Sequence, residues 1–264
     1  MLRLITGVLV AIWAVTSAAQ SFDHSHQAFT EVLEKHVEVY DNNFKSVVDY
    51  QALSERRGPL DSYLNSLSEV TNAEYNRWND QQQLSFLINA YNAFTLQLII
   101  DNQQQFASGE ADSIRDLGGF FSTPWEKSFF KLLDKERTLD WLEHEKIRVD
   151  FDEPRIHAAL VCAAISCPKL RSTAFQAKKL DDQLENQMVL FLSDRDKNGI
   201  DQHGLYLSKI FDWYKEDFNG LHQYMQQYGQ ALADNSKELD RLRNQPLPIS
   251  YTDYNWALNS SSRL

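Results

Sequence analysis

Cys162 and Cys167 stand in RIHAALVCAAISCPKLR (155–171), a stretch otherwise small and apolar, with His157 upstream and Pro168 directly after the second thiol. Such a pair admits four chemistries. A thiolate is a nucleophile and a metal ligand. Two thiols can close a disulfide in an oxidising compartment. Free cysteines also serve as small buried apolar residues. Regular geometry narrows the partners. In an extended segment His157 and Cys162 face opposite ways. In a helix they lie about 140° apart. If Cys162 is a nucleophile, its base is expected from elsewhere in the chain. Across a continuous helix the two cysteines would be separated by about 7.5 Å of rise, beyond the ~7 Å Cα limit for a bridge, so a disulfide requires a break.

A second constellation is TLDWLEHEKIR (138–148). His144 lies four positions after Asp140, on one helix face, where the acid can fix the imidazole tautomer. Glu143 points about 100° away along a regular helix and is better placed to meet another element. The bland reading is a solvated, charged helix face. Asn89 and Asn92 sit three apart on an otherwise apolar stretch. Buried amides need partners. They either pin loop backbone or line a site, orienting a histidine or donating to an oxyanion. Asp194, Asp196, Asn198 and Gly199 match the opening of a calcium loop, but Leu205 stands where a bidentate glutamate is required, so a polar turn is expected.

These side chains must be positioned by a mostly helical frame. Residues 80–100 carry Leu84, Leu87, Ile88, Tyr91, Phe94 and Leu98 at helical spacing with almost every face apolar, as in a central buried helix. An amphipathic helix is expected over 26–39, SVVDYQAL (46–53) reads as a short strand running into a helix over 54–67, and further helices are expected over 180–192, 210–218 and 220–233. Thr138 is a good N-cap for a helix running to Arg148. Residues 129–138 read as a hairpin turning near Asp134, a second short hairpin follows residue 194, and LPISYTDYNWALN (247–259) closes as a strand. The pattern predicts an α+β fold, a single helix-rich domain with a small antiparallel sheet over residues 20–264.

The 264-residue chain carries 26 basic and 37 acidic residues, a net charge of −11. An acidic chain without a basic cluster is a poor nucleic-acid binder. Residues 1–19 have the form of a secretory signal peptide: Arg3, an apolar run from Leu4 to Val15, then Ser17-Ala18-Ala19. Cleavage after Ala19 would leave an exported protein, periplasmic or secreted, without a membrane anchor. No motif calls for a cofactor.

FLINAYNAFTLQLI, PWEKSFF, TLDWLEHEKIR, PRIHAALVCAAISCPKLR, LSKIFDWYKEDF and YTDYNWALN occur in the order typical of the domain-of-unknown-function 547 family (DUF547), and the chain resembles that family over roughly residues 40–260. The resemblance implies a site similar in logic to papain-like and transglutaminase-like cysteine hydrolases. It places a Glu-His-Cys set on Glu143, His144 and Cys162, and the NAYN amides on Asn89 and Asn92. The histidine precedes the cysteine, so a papain-like core would have to be permuted. The expected activity is thiol-dependent hydrolysis or acyl transfer on a peptide or amide bond, with Cys162, His144 and Glu143 catalytic and Asn89, Asn92 and His157 binding. The rival readings are a zinc site drawing on Cys162, Cys167, His144 and His157, and a non-catalytic ligand- or protein-binding module using Trp125, Trp141, Trp213, Tyr214 and Trp256.

Overall fold

The computed structural model describes residues 21–119 and 122–263; the expected signal peptide lies outside them. Among the described residues no helix is long and apolar enough to cross a membrane. The architecture is α+β, with helices and, among the described residues, three small sheets. Strands β1 (Val37–Tyr40) and β2 (Lys45–Val48) form an antiparallel hairpin, as do β3 (Phe130–Leu132) and β4 (Lys135–Arg137). Leu133 and Asp134 both take positive φ, which is what a two-residue hairpin turn matched to strand twist requires. The third sheet is mixed. Strand β5 (Gly199–Ile200) pairs antiparallel with β6 (Leu205–Leu207), and β7 (Ile249–Tyr251) pairs parallel with β6. The closing strand therefore does not extend an antiparallel sheet.

The helix Asp80–Asp101 runs through the core. Asn79 opens it with a reciprocal cap: its side chain accepts from the Gln82 N–H at 2.9 Å, and the Gln82 side chain accepts from the Asn79 N–H at 3.1 Å. Phe86, Leu87, Ile88 and Phe94 are fully buried, each contributing about 1.5–3 kcal/mol by leaving water. Helices Tyr50–Glu55 and Gly58–Glu69 pack on it, and Gln27–His36 packs in turn on those two. The helix expected over 26–39 stops at His36 because the chain turns directly into β1. A second apolar cluster gathers Met188, Leu192, Leu205, Leu207, Phe211 and Met225 from the C-terminal third. Tyr254 packs against both clusters, at their seam.

Two local departures from regular geometry prepare the site. Thr138 caps as expected, its hydroxyl accepting from the Trp141 N–H at 2.9 Å. The segment that follows, Trp141–Ile147, is π-helical rather than α-helical; such turns are rare and frequent at functional sites. The cysteine stretch is neither helix nor strand. A 3₁₀ turn spans Pro154–Ala158, and Ala163 takes φ 59°, breaking the chain between the two cysteines.

Candidate functional site

A cavity of about 290 Å³ opens at the seam. Its walls include Glu143 and His144 from the π-turn, His157 and Cys162 from the irregular stretch, and Tyr214 and Tyr254 from the C-terminal third. Trp125, Trp213 and Trp256 supply an aromatic side. Neither regular form applies between His157 and Cys162, because the segment has no regular period there, and both residues line this one cavity. Trp141 is not among the lining residues; the Arg137 guanidinium sits 3.6 Å over its ring.

The break at Ala163 brings the two cysteine Cα atoms to 6.1 Å, and Cys162 and Cys167 form a disulfide. Cys167 is buried at 2 % exposure, whereas Cys162 is half-buried on the cavity wall. The Tyr254 hydroxyl lies 3.1 Å from Cys162 Sγ and 3.3 Å from Cys167 Sγ. Backbone N–H groups of Cys162 and Ala164 donate to Cys167 Sγ at 3.2 and 3.4 Å. With both sulfurs in a bridge there is no free thiolate to act as nucleophile or zinc ligand in this state. Among the described residues no group of three or more His, Cys, Asp or Glu side chains could hold a metal ion.

Two imidazoles face different partners. His144 Nδ1 accepts from the Arg148 Nη1–H at 3.0 Å, which puts the ring proton on Nε2, 3.8 Å from Asp140. His157 Nε2–H donates to Asp217 Oδ2 at 2.7 Å, which leaves Nδ1 as the basic nitrogen. Burial holds the His157 pKa below its ordinary value, although the Asp217 bond works against that. Burial works to raise the Asp217 pKa, but the bonds from Arg148 and His157 together hold it below the ordinary carboxylate range. Arg148 grips Asp217 through two N–H bonds, from Nε and Nη2, each 2.7 Å. Asp217, absent from the sequence-based set, is the carboxylate that orients an imidazole here.

Glu143 is buried and accepts a 2.6 Å bond from the Tyr214 hydroxyl. It meets another element rather than His144, although the turn that carries it is π-helical and not the regular helix expected. Tyr214 stacks on the His157 ring with centroids 4.0 Å apart. Burial, reinforced by Glu143, raises the pKa of both Tyr214 and Tyr254, so each remains a phenol able to donate.

Asn89 and Asn92 do not line the cavity; both pin backbone. Asn89 donates to the Phe175 carbonyl at 2.7 Å and accepts from the Phe175 N–H at 2.9 Å. Asn92 donates to the Ala159 carbonyl at 3.0 Å and accepts from the Val161 N–H at 2.9 Å. Asn92 thereby fixes the chain that delivers Cys162.

Residues 75–192 match a family model described as "Protein of unknown function, DUF547". The matched segment contains Glu143, His144, His157 and both cysteines, and ends before Tyr214, Asp217 and Tyr254. No curated protein and no solved structure matches the chain.

Proposed function

Residues 75–192 match the DUF547 family model, and from that premise we propose that the chain is a thiol-dependent hydrolase or acyl transferase of peptide or other amide bonds, with reduced Cys162 as the nucleophile. The observation that carries this reading is the convergence of Cys162, His144, Glu143 and His157 on one cavity from two separate stretches of chain. The address is an exported compartment. The apolar leader at Leu4–Val15 supports it, and so does the cystine, which persists where thiols are oxidised.

In this reading the Cys162 thiol gives its proton to His157 Nδ1, and the resulting imidazolium is held by Asp217. His144 Nδ1 is already taken up by the Arg148 Nη1–H. Its Nε2–H is instead a donor to substrate. Glu143 holds Tyr214, and Tyr214 in turn supports the His157 ring. The thiolate attacks the amide carbonyl. The Tyr254 hydroxyl, 3.1 Å from Cys162 Sγ, is a donor near the oxygen that gains charge. Protonation of the leaving amine by His157 yields a thioester, which water or an amine then opens.

Cys167→Ser leaves Cys162 unbridged and supplies the test. The variant should be alkylated by iodoacetamide at neutral pH faster than a simple thiol, and should form a thioester adduct with activated amide probes, visible by mass; Cys162→Ala should do neither. A folded Cys167→Ser protein whose Cys162 reacts no faster than a free cysteine sinks the proposal. The closed bridge favours a second reading, a binding module walled by Trp125, Trp213 and Trp256, which such inert behaviour would leave standing.

A further inference from the structure

The bridge is poorly placed as a structural staple. It closes a loop with a sequence separation of only 5, worth about 2 kcal/mol in the chain-entropy account against about 4.7 for a hundred-residue loop. That loop is already held without it. Ile165 N–H donates to the Ala257 carbonyl at 2.9 Å, Ser166 N–H to the Asn255 carbonyl at 3.2 Å, and Asn259 N–H to the Ala163 carbonyl at 3.0 Å. Asn92 fixes the incoming chain. The cystine therefore sits in a frame that can outlast its opening.

The two sulfurs are also unequal. Cys162 lines the cavity, while Cys167 is 2 % exposed and is the acceptor of two backbone N–H groups and within reach of the Tyr254 hydroxyl. Two backbone donors on Cys167 alone, with the Tyr254 hydroxyl within reach of both sulfurs, stabilise negative charge on Cys167, which is what a leaving thiolate needs.

We propose that Cys162–Cys167 is a thiol–disulfide exchange site that accepts electrons from a dithiol, by attack at Cys162 with Cys167 as the leaving group. One thiolate of the dithiol attacks Cys162 Sγ. A mixed disulfide forms, the Cys162–Cys167 bond breaks, and the electron pair departs on Cys167. The second thiolate of the dithiol then attacks its own sulfur in the mixed disulfide and releases Cys162. The dithiol is oxidised to a disulfide, the cystine is reduced to two thiols, and the two protons of the dithiol pass to them. Reduction delivers a free Cys162 into the cavity, so this inference rests on the reading above only for what Cys162 does next.

The test uses the full folded chain. Dithiothreitol should open the bridge under native conditions with the circular dichroism spectrum retained. Excess glutathione, quenched early with acid and mapped by peptide mass, should leave its adduct on Cys162. Tyr254→Phe, which removes the hydroxyl that can turn to the departing Cys167 thiolate, should slow opening about three- to tenfold. A bridge that opens only when the protein unfolds, or an adduct on Cys167, overturns the proposal. Failure here is separable from failure of the hydrolase: an active Cys167→Ser protein beside an inert wild-type bridge removes only the exchange site, whereas a readily opened bridge with an unreactive Cys162 supports the exchange site and removes only the hydrolase.

Discussion

His157 Nε2 and Asp217 Oδ2 lie 2.7 Å apart across 60 positions of sequence, and Arg148 grips the same carboxylate from the other side. A buried imidazole with its proton committed to an oriented carboxylate is a base with one tautomer and one free nitrogen. The first prediction follows from that pairing. In a Cys167→Ser background, Asp217→Asn should move the pH profile of Cys162 alkylation upward by about one unit, equivalent to about 1.4 kcal/mol. The imidazolium that supports the thiolate loses its counter-charge. Asp217→Glu should restore much of the profile. An unchanged profile in a folded Asp217→Asn protein would mean that His157 is not coupled to the sulfur.

The fold and the site were legible in the sequence to different depths. The central helix was plain, because Leu84, Leu87, Ile88, Tyr91, Phe94 and Leu98 declare a fully buried element. The Asp134 hairpin was plain from its turn. The pinning role open to Asn89 and Asn92 also followed from sequence, since a buried amide must be satisfied. What escaped was anything set by contacts distant in sequence. The π-turn at Trp141–Ile147 has no local signature. Asp217 sits in KEDF among other acids, and only the fold carries it to His157. The irregular path through Ala163 defeated the periodicity used to separate His157 from Cys162, because that argument assumed a regular segment.

Asn92 fixes the delivery of Cys162, and its removal has a calculable cost. Asn92→Ala would strand the Ala159 carbonyl and the Val161 N–H in the core. Each stranded group costs about 1–3 kcal/mol. Urea unfolding should show a loss of about 2–6 kcal/mol in total. A loss under 1 kcal/mol would indicate that these bonds are replaced, and that the amide does not hold the stretch.

Stability should also depend on acid through a histidine far from the cavity. His26 is buried, its Nδ1 sharing a 2.7 Å hydrogen bond with the Tyr63 hydroxyl, and burial lowers its pKa to about 3. The native state keeps it neutral, while the unfolded chain protonates it near pH 6.5. The unfolded state binds the extra proton between those values. Stability is therefore complete above pH 6.5 and falls with decreasing pH, by up to about 1.4 kcal/mol per unit, until about pH 3. His26→Gln, which keeps an acceptor for Tyr63, should flatten the fall in midpoint temperature between pH 6.5 and 4. An identical slope in the variant would assign the acid sensitivity to other groups.

Gly204 tests whether the mixed sheet holds the C-terminal third together. It takes φ +152°, in the turn between β5 and β6, where Asp201 Oδ1 accepts from the His203 and Gly204 N–H groups at 2.7 and 3.0 Å. A Cβ added there would lie 2.2 Å from the Pro248 carbonyl oxygen, which accepts from the Leu205 N–H at 2.9 Å and sets the parallel register of β7 on β6. Backbone must shift to admit the methyl group, and the turn leaves the conformation that only glycine adopts freely. Gly204→Ala should cost about 2–3 kcal/mol, whereas the same change at a glycine of ordinary backbone conformation stabilises by about 0.4–1 kcal/mol. Because β7 leads directly to Tyr254 and Trp256, the same variant should raise amide exchange through residues 249–257. Unchanged exchange there, with stability intact, would show that the cavity wall does not depend on this sheet.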